Sequence, residues 1–300
     1  MIKRSHFLSG VGILTSSILL ASISQTTSAS ESGQSESVAL DSIVRSQVLT
    51  NDGQEGAFSE QGISTEASRS VGFDAVTSDK VDVYVIPLSY GMPIGLLGGE
   101  EFINFSADLA YVSLEGATGD ESGIGDTRVG AEYFMEKKGI IFKGVFDVKL
   151  PTGDEDVGLG SGSTDFGFAV SGRKRDGDVG FNATAGYIIR GDAKPNGFDV
   201  DYGNVINLVG GAEYRVKPAL WAGANVAFVR TGTSEFNGGF EGDGLQTVDI
   251  IPNASYRLNT DMTVTLNVII PLTESVVDGD APGSEPDREM SFSFGLSSEF

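Results

Sequence analysis

From Lys80 onward the chain divides into segments of about ten residues in which apolar and polar side chains alternate one for one, separated by stretches rich in Gly, Asp and Pro. A period of two specifies strands, and about ten residues is the length of a strand that crosses a bilayer at a tilt. In Phe102 to Val112, Ile103, Phe105, Ala107, Leu109 and Tyr111 share one face, while Asn104, Ser106 and Asp108 share the other. The pattern returns in 139–150, where Ile140, Phe142, Phe146, Val148 and Leu150 oppose Lys143, Asp147 and Lys149. It returns again in 263–270, where Val264, Leu266, Val268 and Ile270 oppose Thr263, Thr265 and Asn267. At the end of the chain Met290, Phe292, Phe294, Leu296 and Phe300 alternate with Ser291, Ser293, Gly295, Ser297 and Glu299. With 80–90, 123–136, 163–173, 179–191, 203–216, 220–231 and 244–258, eleven strands are visible.

The connections are of two kinds. Lys137-Lys138, Asp176-Gly177-Asp178, Lys217-Pro218 and Asn259-Thr260-Asp261 are tight turns of the hairpin kind. Between them lie long connections at 151–164, 191–203, 231–245 and 272–288, with a shorter one around 116–125. Such alternation belongs to an outer-membrane barrel, with short turns in the periplasm and long loops outside. Charge is sorted the same way. The long connections carry Asp154, Glu155, Asp156, Asp192, Asp199, Asp201, Glu235, Glu241, Asp243, Asp278, Asp280, Glu285 and Asp287, whereas the tight turns carry Lys137, Lys138, Lys174, Arg175 and Lys217. If the tight turns are periplasmic, the strands at 80–90 and 290–300 both run toward the periplasm, and one further strand must precede Lys80 to close the barrel. Ile63 to Val76 is the candidate, with Val71, Phe73 and Ala75 on one face. The expected fold is therefore all-β: a transmembrane, antiparallel, up-and-down β-barrel of about twelve strands over 62–300, with both termini periplasmic.

The first residues read as an address. Lys3 and Arg4 precede an apolar stretch from Val11 to Ile23 and then Thr27, Ser28 and Ala29, the pattern of a secretory signal peptide over 1–29. The chain has no cysteine, which excludes a lipid anchor at the cleavage point, disulfides and thiolate metal sites. Removing Lys3 and Arg4 leaves 18 basic against 42 acidic residues, a formal charge of −24, so nucleic acid is not an expected partner. Residues 30–61 are rich in Ser, Glu and Gln and form a polar periplasmic segment, either disordered or a plug for the lumen.

Little in the sequence suggests chemistry. The single histidine, His6, leaves with the signal peptide, so a serine nucleophile would lack an imidazole base, and the chain is not expected to be an enzyme. The clusters GIGDTRVG (123–130) and GLGSGS (158–163) lead into strands and not into the helix that a phosphate-binding loop requires. Asp154 and Asp156 do not match the spacing of a calcium loop and read as solvated surface charge. No metal or cofactor is expected. Parity places Asp108, Arg128, Glu132, Lys143, Asp147, Lys149, Asp165, Arg173, Arg190, Glu213, Arg215, Asp249 and Arg257 on the lumen side. Seven are basic and six acidic, a balance that makes no simple anion or cation filter. Phe292, Phe294, Leu296 and Phe300 form the expected insertion signal, read by the barrel-assembly machinery.

The runs GIGDTRVGAEYF (123–134) and VKLPTGDEDVGLGSGSTDFGFAVS (148–171) resemble the family of outer-membrane proteins named for the meta-pathway of phenol degradation. The resemblance lies in Gly125-Asp126 at a strand start, in the Lys149 to Asp154 strand exit and in the loop from Gly158 to Asp165. It implies transport of aromatic or other poorly soluble compounds and brings no catalytic residues. The expected function is thus an outer-membrane channel that passes a small-molecule solute through a narrow charged lumen, with lipid and lipopolysaccharide as its surroundings. The alternative is a structural or surface-interaction barrel with acidic, cation-bridged external loops.

Overall fold

A computed structural model describes residues 68–76, 81–95, 101–116, 119–237, 239–242, 244–277 and 290–299. The signal peptide, the segment 30–61 and Phe300 lie outside them. In chain order the strands begin with β1 (Ser68–Val76), β2 (Val81–Gly95), β3 (Glu101–Gly116), β4 (Gly119–Ile124), β5 (Thr127–Lys137), β6 (Ile140–Leu150), β7 (Asp165–Asp176) and β8 (Val179–Ile189). They continue with β9 (Asp192–Ala193), β10 (Val200–Asp201), β11 (Val205–Lys217), β12 (Leu220–Thr231), β13 (Ser234–Phe236), β14 (Phe240–Gly242), β15 (Gly244–Arg257), β16 (Met262–Val277) and β17 (Ser291–Glu299).

Every pairing is antiparallel. Strands β4 and β5 both pair with β3 and amount to one strand interrupted at Gly125-Asp126. Counted so, twelve strands form the sheet, and β1 closes it against β17 with Val71 opposite Leu296 and Phe73 opposite Phe294. A closed sheet has no edge, so its ladder leaves no strand with unpaired backbone along its length.

Burial is inverted relative to a water-soluble sandwich. On β7, Val170 is 64% exposed while its neighbours Ala169 and Ser171 are 5% and 9% exposed. Around the barrel the exposed face carries Phe105, Leu109, Phe146, Phe168, Tyr187, Leu208, Leu266, Phe292 and Phe294, and the buried face carries Asn104, Thr184, Asn207, Asn225, Asn267 and Ser293. An apolar exterior around a polar interior has its free-energy minimum in lipid, where each exposed side chain is solvated by hydrocarbon and every backbone group is paired.

The tight connections have hairpin geometry. Lys138 and Gly139 both take positive φ, 56° and 70°, which is the backbone of a type I′ turn whose twist matches that of paired strands. Three connections differ from the sequence reading. The stretch around 116–125, read as a loop, is mostly strand, because β3 runs to Gly116 and pairs back on β4 from Gly116 opposite Gly119 to Tyr111 opposite Ile124. The long connections 191–203 and 231–245 are not free loops either: β9, β10, β13 and β14 form a separate four-stranded sheet at one end of the barrel. Strands of two or three residues are too short to display a period, which is why alternation does not reveal them. The closing strand begins at Ser68, and β16 extends to Val277.

Candidate functional site

Of the thirteen ionisable residues singled out by parity, twelve lie on strands of the sheet and Arg190 directly follows β8. Arg128, Glu132, Lys143, Asp147, Lys149, Asp165, Arg190 and Asp249 are buried, and Asp108, Arg173, Glu213, Arg215 and Arg257 are half-buried. Charges so enclosed need partners, since a buried ion that loses its partner costs about 3–5 kcal/mol. Arg128 donates to Asp147 at 3.0 Å across β5 and β6. Lys143 donates to Glu132 at 3.0 Å, and the Asn104 amide donates to the other oxygen of Glu132 at 2.8 Å. Gly167 lies opposite Asp147, and any side chain there would collide with the Asp147 carboxylate.

A larger node ties the connection 151–164 to the wall. Lys149, fully buried, ion-pairs with Asp126 and Asp165, each at 3.1 Å, and also donates to the hydroxyls of Ser161 and Ser163. Asp126 accepts from the backbone N–H of Gly153 at 3.1 Å and from the backbone N–H and the hydroxyl of Ser161, both at 2.9 Å. Ser163 donates to Asp165 at 2.9 Å, and Asp165 also accepts from the Gly191 N–H at 3.0 Å. The Tyr202 hydroxyl donates to the Ser161 carbonyl at 3.3 Å, and the Arg190 guanidinium lies 4.2 Å from the Tyr202 ring centroid. Only glycine suits the two limbs of this connection: a Cβ on Gly160 would lie 2.6 Å from the Asp126 carboxylate and 2.8 Å from the Gly153 Cα.

The same connection brings an apolar group inward. Leu159 is 8% exposed and belongs to one contiguous buried cluster with Val85, Ala110, Val112 and Leu114 of β2 and β3 and with Val209, Ala227, Ile251 and Ile269 of β11, β12, β15 and β16. A chain segment that was expected to be an acidic external loop thus contributes Leu159, Ser161 and Ser163 to the interior. Its acidic residues stay at the surface side. Asp154 accepts from the Asp156 N–H at 3.1 Å and its carbonyl accepts from the Leu159 N–H at 2.8 Å, so it shapes the turn. Among the described residues no group of three or more Asp, Glu or His gathers to hold a metal ion. Burial and the carboxylates of Asp156, Asp126 and Asp154 push the Glu155 carboxyl above the ordinary Glu value.

The lumen-side set expected from the sequence omits Asp126, Ser161, Ser163, Arg175 and Trp221. Asp126 has the parity of Arg128, so continuing the alternation by two residues finds it. Arg175 likewise continues the inward face of Arg173, although it was read with the tight turns; it belongs to β7. Trp221 is 2% exposed on the inner face of β12, where Arg175 and Arg215 sit 4.3 and 5.3 Å from its ring centroid. Ser161 and Ser163 have no strand pattern around them and nothing in the sequence points them inward. Of the expected insertion signal, Phe292 and Phe294 are exposed on the outer face and Leu296 is half-buried.

A family model described as the MetA-pathway of phenol degradation matches residues 55–278. Among solved structures, an outer membrane channel from Pseudomonas putida F1 superposes with a TM-score of 0.70 at 14% identity, covering 79% of this chain and 96% of that one. The NanC porin gives a TM-score of 0.47 at 12% identity, covering 78% of this chain and 100% of that one. For the KdgM porin the TM-score is 0.45 at 10% identity, with 77% of this chain and 99% of that one covered. No curated protein sequence matches.

Proposed function

The chain belongs to the family of the MetA-pathway of phenol degradation, and from that premise we propose that it is an outer-membrane channel passing small solutes through a narrow, charged lumen. The observation that carries this reading is the set of buried charge pairs in a closed twelve-strand barrel, with Arg128–Asp147, Lys143–Glu132 and the Lys149 node side by side on β5, β6 and β7 behind an apolar exterior. Beside the apolar cluster around Leu159, the wall of β5 to β7 carries charges held in fixed pairs, which solvate a path without drawing counter-ions into it. Twelve strands stand between the eight whose interior is filled by side chains and the sixteen or more of open porins, so the path suits small molecules. The thirteen inward ionisable residues line it. The resemblance carried by residues 123–134 and 148–171 adds aromatic or poorly soluble compounds as solutes.

In this reading the tight turns and both termini face the periplasm, lipid and lipopolysaccharide surround the apolar belt, and the assembly machinery inserts the barrel. No residue of the interior is assigned a catalytic role. Planar-bilayer conductance of the refolded mature protein, with and without residues 31–60, tests the proposal. Steady conductance in both is expected of an open pore, and conductance only after truncation would make the segment a plug. Silence in both would overturn the channel and leave a structural barrel. That second reading has one observation in its favour: the small sheet β9–β10–β13–β14 presents Asp192, Asp201 and Glu235 as exposed acids. Under it, neutralising these acids would weaken envelope integrity and leave permeability unchanged.

A further inference from the structure

Apolar side chains of the inner face are gathered at one place. Val85 of β2 and Val112 of β3 belong to the same buried cluster as Val209 of β11 and Ala227 of β12. In the strand order of the sheet β11 lies six steps from β2, and β12 lies six steps from β3. Six steps of twelve are half the circumference, so one contiguous apolar cluster takes in opposite walls of the barrel. Ile251 and Ile269 extend it over β15 and β16. On the inner face of a water-filled tube such side chains would be wet, yet Val85, Ala227 and Ile269 are all 0% exposed. Among the described members of the cluster, Leu159 alone comes from a connection and not from a strand. Gly158 and Gly162, at φ of 83° and 70°, lie on either side of it. It is seated against β4 and β3: a Cβ on Gly123 would lie 2.8 Å from its Cδ1, and one on Gly125 would lie 3.2 Å both from its carbonyl oxygen and from Val112. The strand members are fixed by the ladder. Leu159 is held instead by polar ties two residues on, where the backbone N–H and hydroxyl of Ser161 donate to Asp126. Moving the connection would therefore withdraw Leu159 without breaking a strand pair.

Resting on the channel reading above, we propose that this cluster is an apolar gate in the lumen and that Leu159 is its moving part. Seated, Leu159 completes a dry constriction that an ion cannot cross with its hydration shell. Withdrawn with the connection 151–164, it leaves a wider passage that water can fill. The paired charges of β5 to β7 keep their part of the path solvated, so the apolar constriction and not the charged wall sets the flow of ions. The Lys149 node is then the latch of the gate, because it fixes Ser161 and Ser163 and through them the stem that carries Leu159.

Planar-bilayer recordings compare the unmodified mature barrel with single variants. Leu159→Asn retains a branched side chain and makes it polar, Leu159→Met keeps the position apolar, and Val209→Thr places a hydroxyl on the opposite wall at nearly constant shape. For the unmodified barrel the expected current rises more steeply than linearly with voltage, as the field wets the constriction. For Leu159→Asn and Val209→Thr it is expected to be nearly linear and severalfold larger at low voltage. Leu159→Met should behave as the unmodified barrel does. Heat-dependent migration in detergent gels checks that each variant is folded, and Val209→Thr decides if Leu159→Asn is not. A conducting barrel whose low-voltage current is the same in Leu159→Asn and Val209→Thr would overturn the gate and leave the channel standing. A Leu159→Met barrel that conducts as freely as Leu159→Asn would mean closure by the shape of leucine and not by its apolarity, and would overturn the gate as well. Silence in every form would defeat the channel reading, and the gate with it.

Discussion

Lys149 is the side chain on which the interior most depends. Its ammonium is the cation that the carboxylates of Asp126 and Asp165 share, and replacing it with Met would leave two buried acids without that charge between them. Lys149→Met is expected to lower stability by about 3–5 kcal/mol in urea unfolding and to raise bilayer conductance as the connection 151–164 lets go. Adding Asp126→Asn and Asp165→Asn should recover much of the stability without restoring the tether. Glu155 gives the tether a pH dependence. Its carboxyl titrates higher in the folded protein than in the unfolded chain, so the fold favours its protonated form. The resulting stabilisation is fully present below the ordinary Glu value, and it is lost as the pH rises through the raised one. Acidification from neutral pH is therefore expected to tighten the connection and lower conductance, and Glu155→Gln to hold conductance low at every pH across that range. At this scale the sequence was legible only where a period reaches. Lys149 and Asp165 share the parity of their strands, whereas Ser161 and Ser163 take their places from a loop path dictated by Gly153 and Gly160, which no alternation records.

Elements were more readable than sites, because a barrel strand must alternate to separate lipid from lumen. The weak pattern of 63–76 still marked β1, for a closed sheet with all its tight turns at one end needs that strand. The small sheet of β9, β10, β13 and β14 escaped notice because its strands are set by tertiary pairing and not by a facing solvent. The hairpin turns are the points at which an element can be tested singly. Gly139 holds φ at 70°, a conformation that costs a β-branched residue about 1–2 kcal/mol, so Gly139→Val should lower the unfolding free energy by that much and leave conductance untouched. The last strand gives a second test. Phe292 and Phe294 face outward on β17, and if the assembly machinery reads the alternation to its end, Phe300→Ala should reduce the amount of barrel recovered in the outer membrane.

At the scale of the whole molecule, lipid is the solvent that makes the arrangement stable. Leu208, 47% exposed on the outer face, is expected to tolerate Phe and to resist Arg by about 2–4 kcal/mol in bilayers if it lies near the midplane, as urea unfolding in vesicles would record. The Lys149 node also bears on the order of assembly. Its ties from Asp126 to Gly153 and Ser161 and from Ser163 to Asp165 span sequence separations of 27, 35 and 2 residues, all within three consecutive strands. The seam, by contrast, joins Arg69 to Ser298 across 229 residues. Loop-closure entropy rises with separation, so the contacts around Lys149 can form while the rest of the sheet is still open. The run that carries the family resemblance is thus expected to gain its polar ties locally, ahead of the seam that makes the barrel a cylinder.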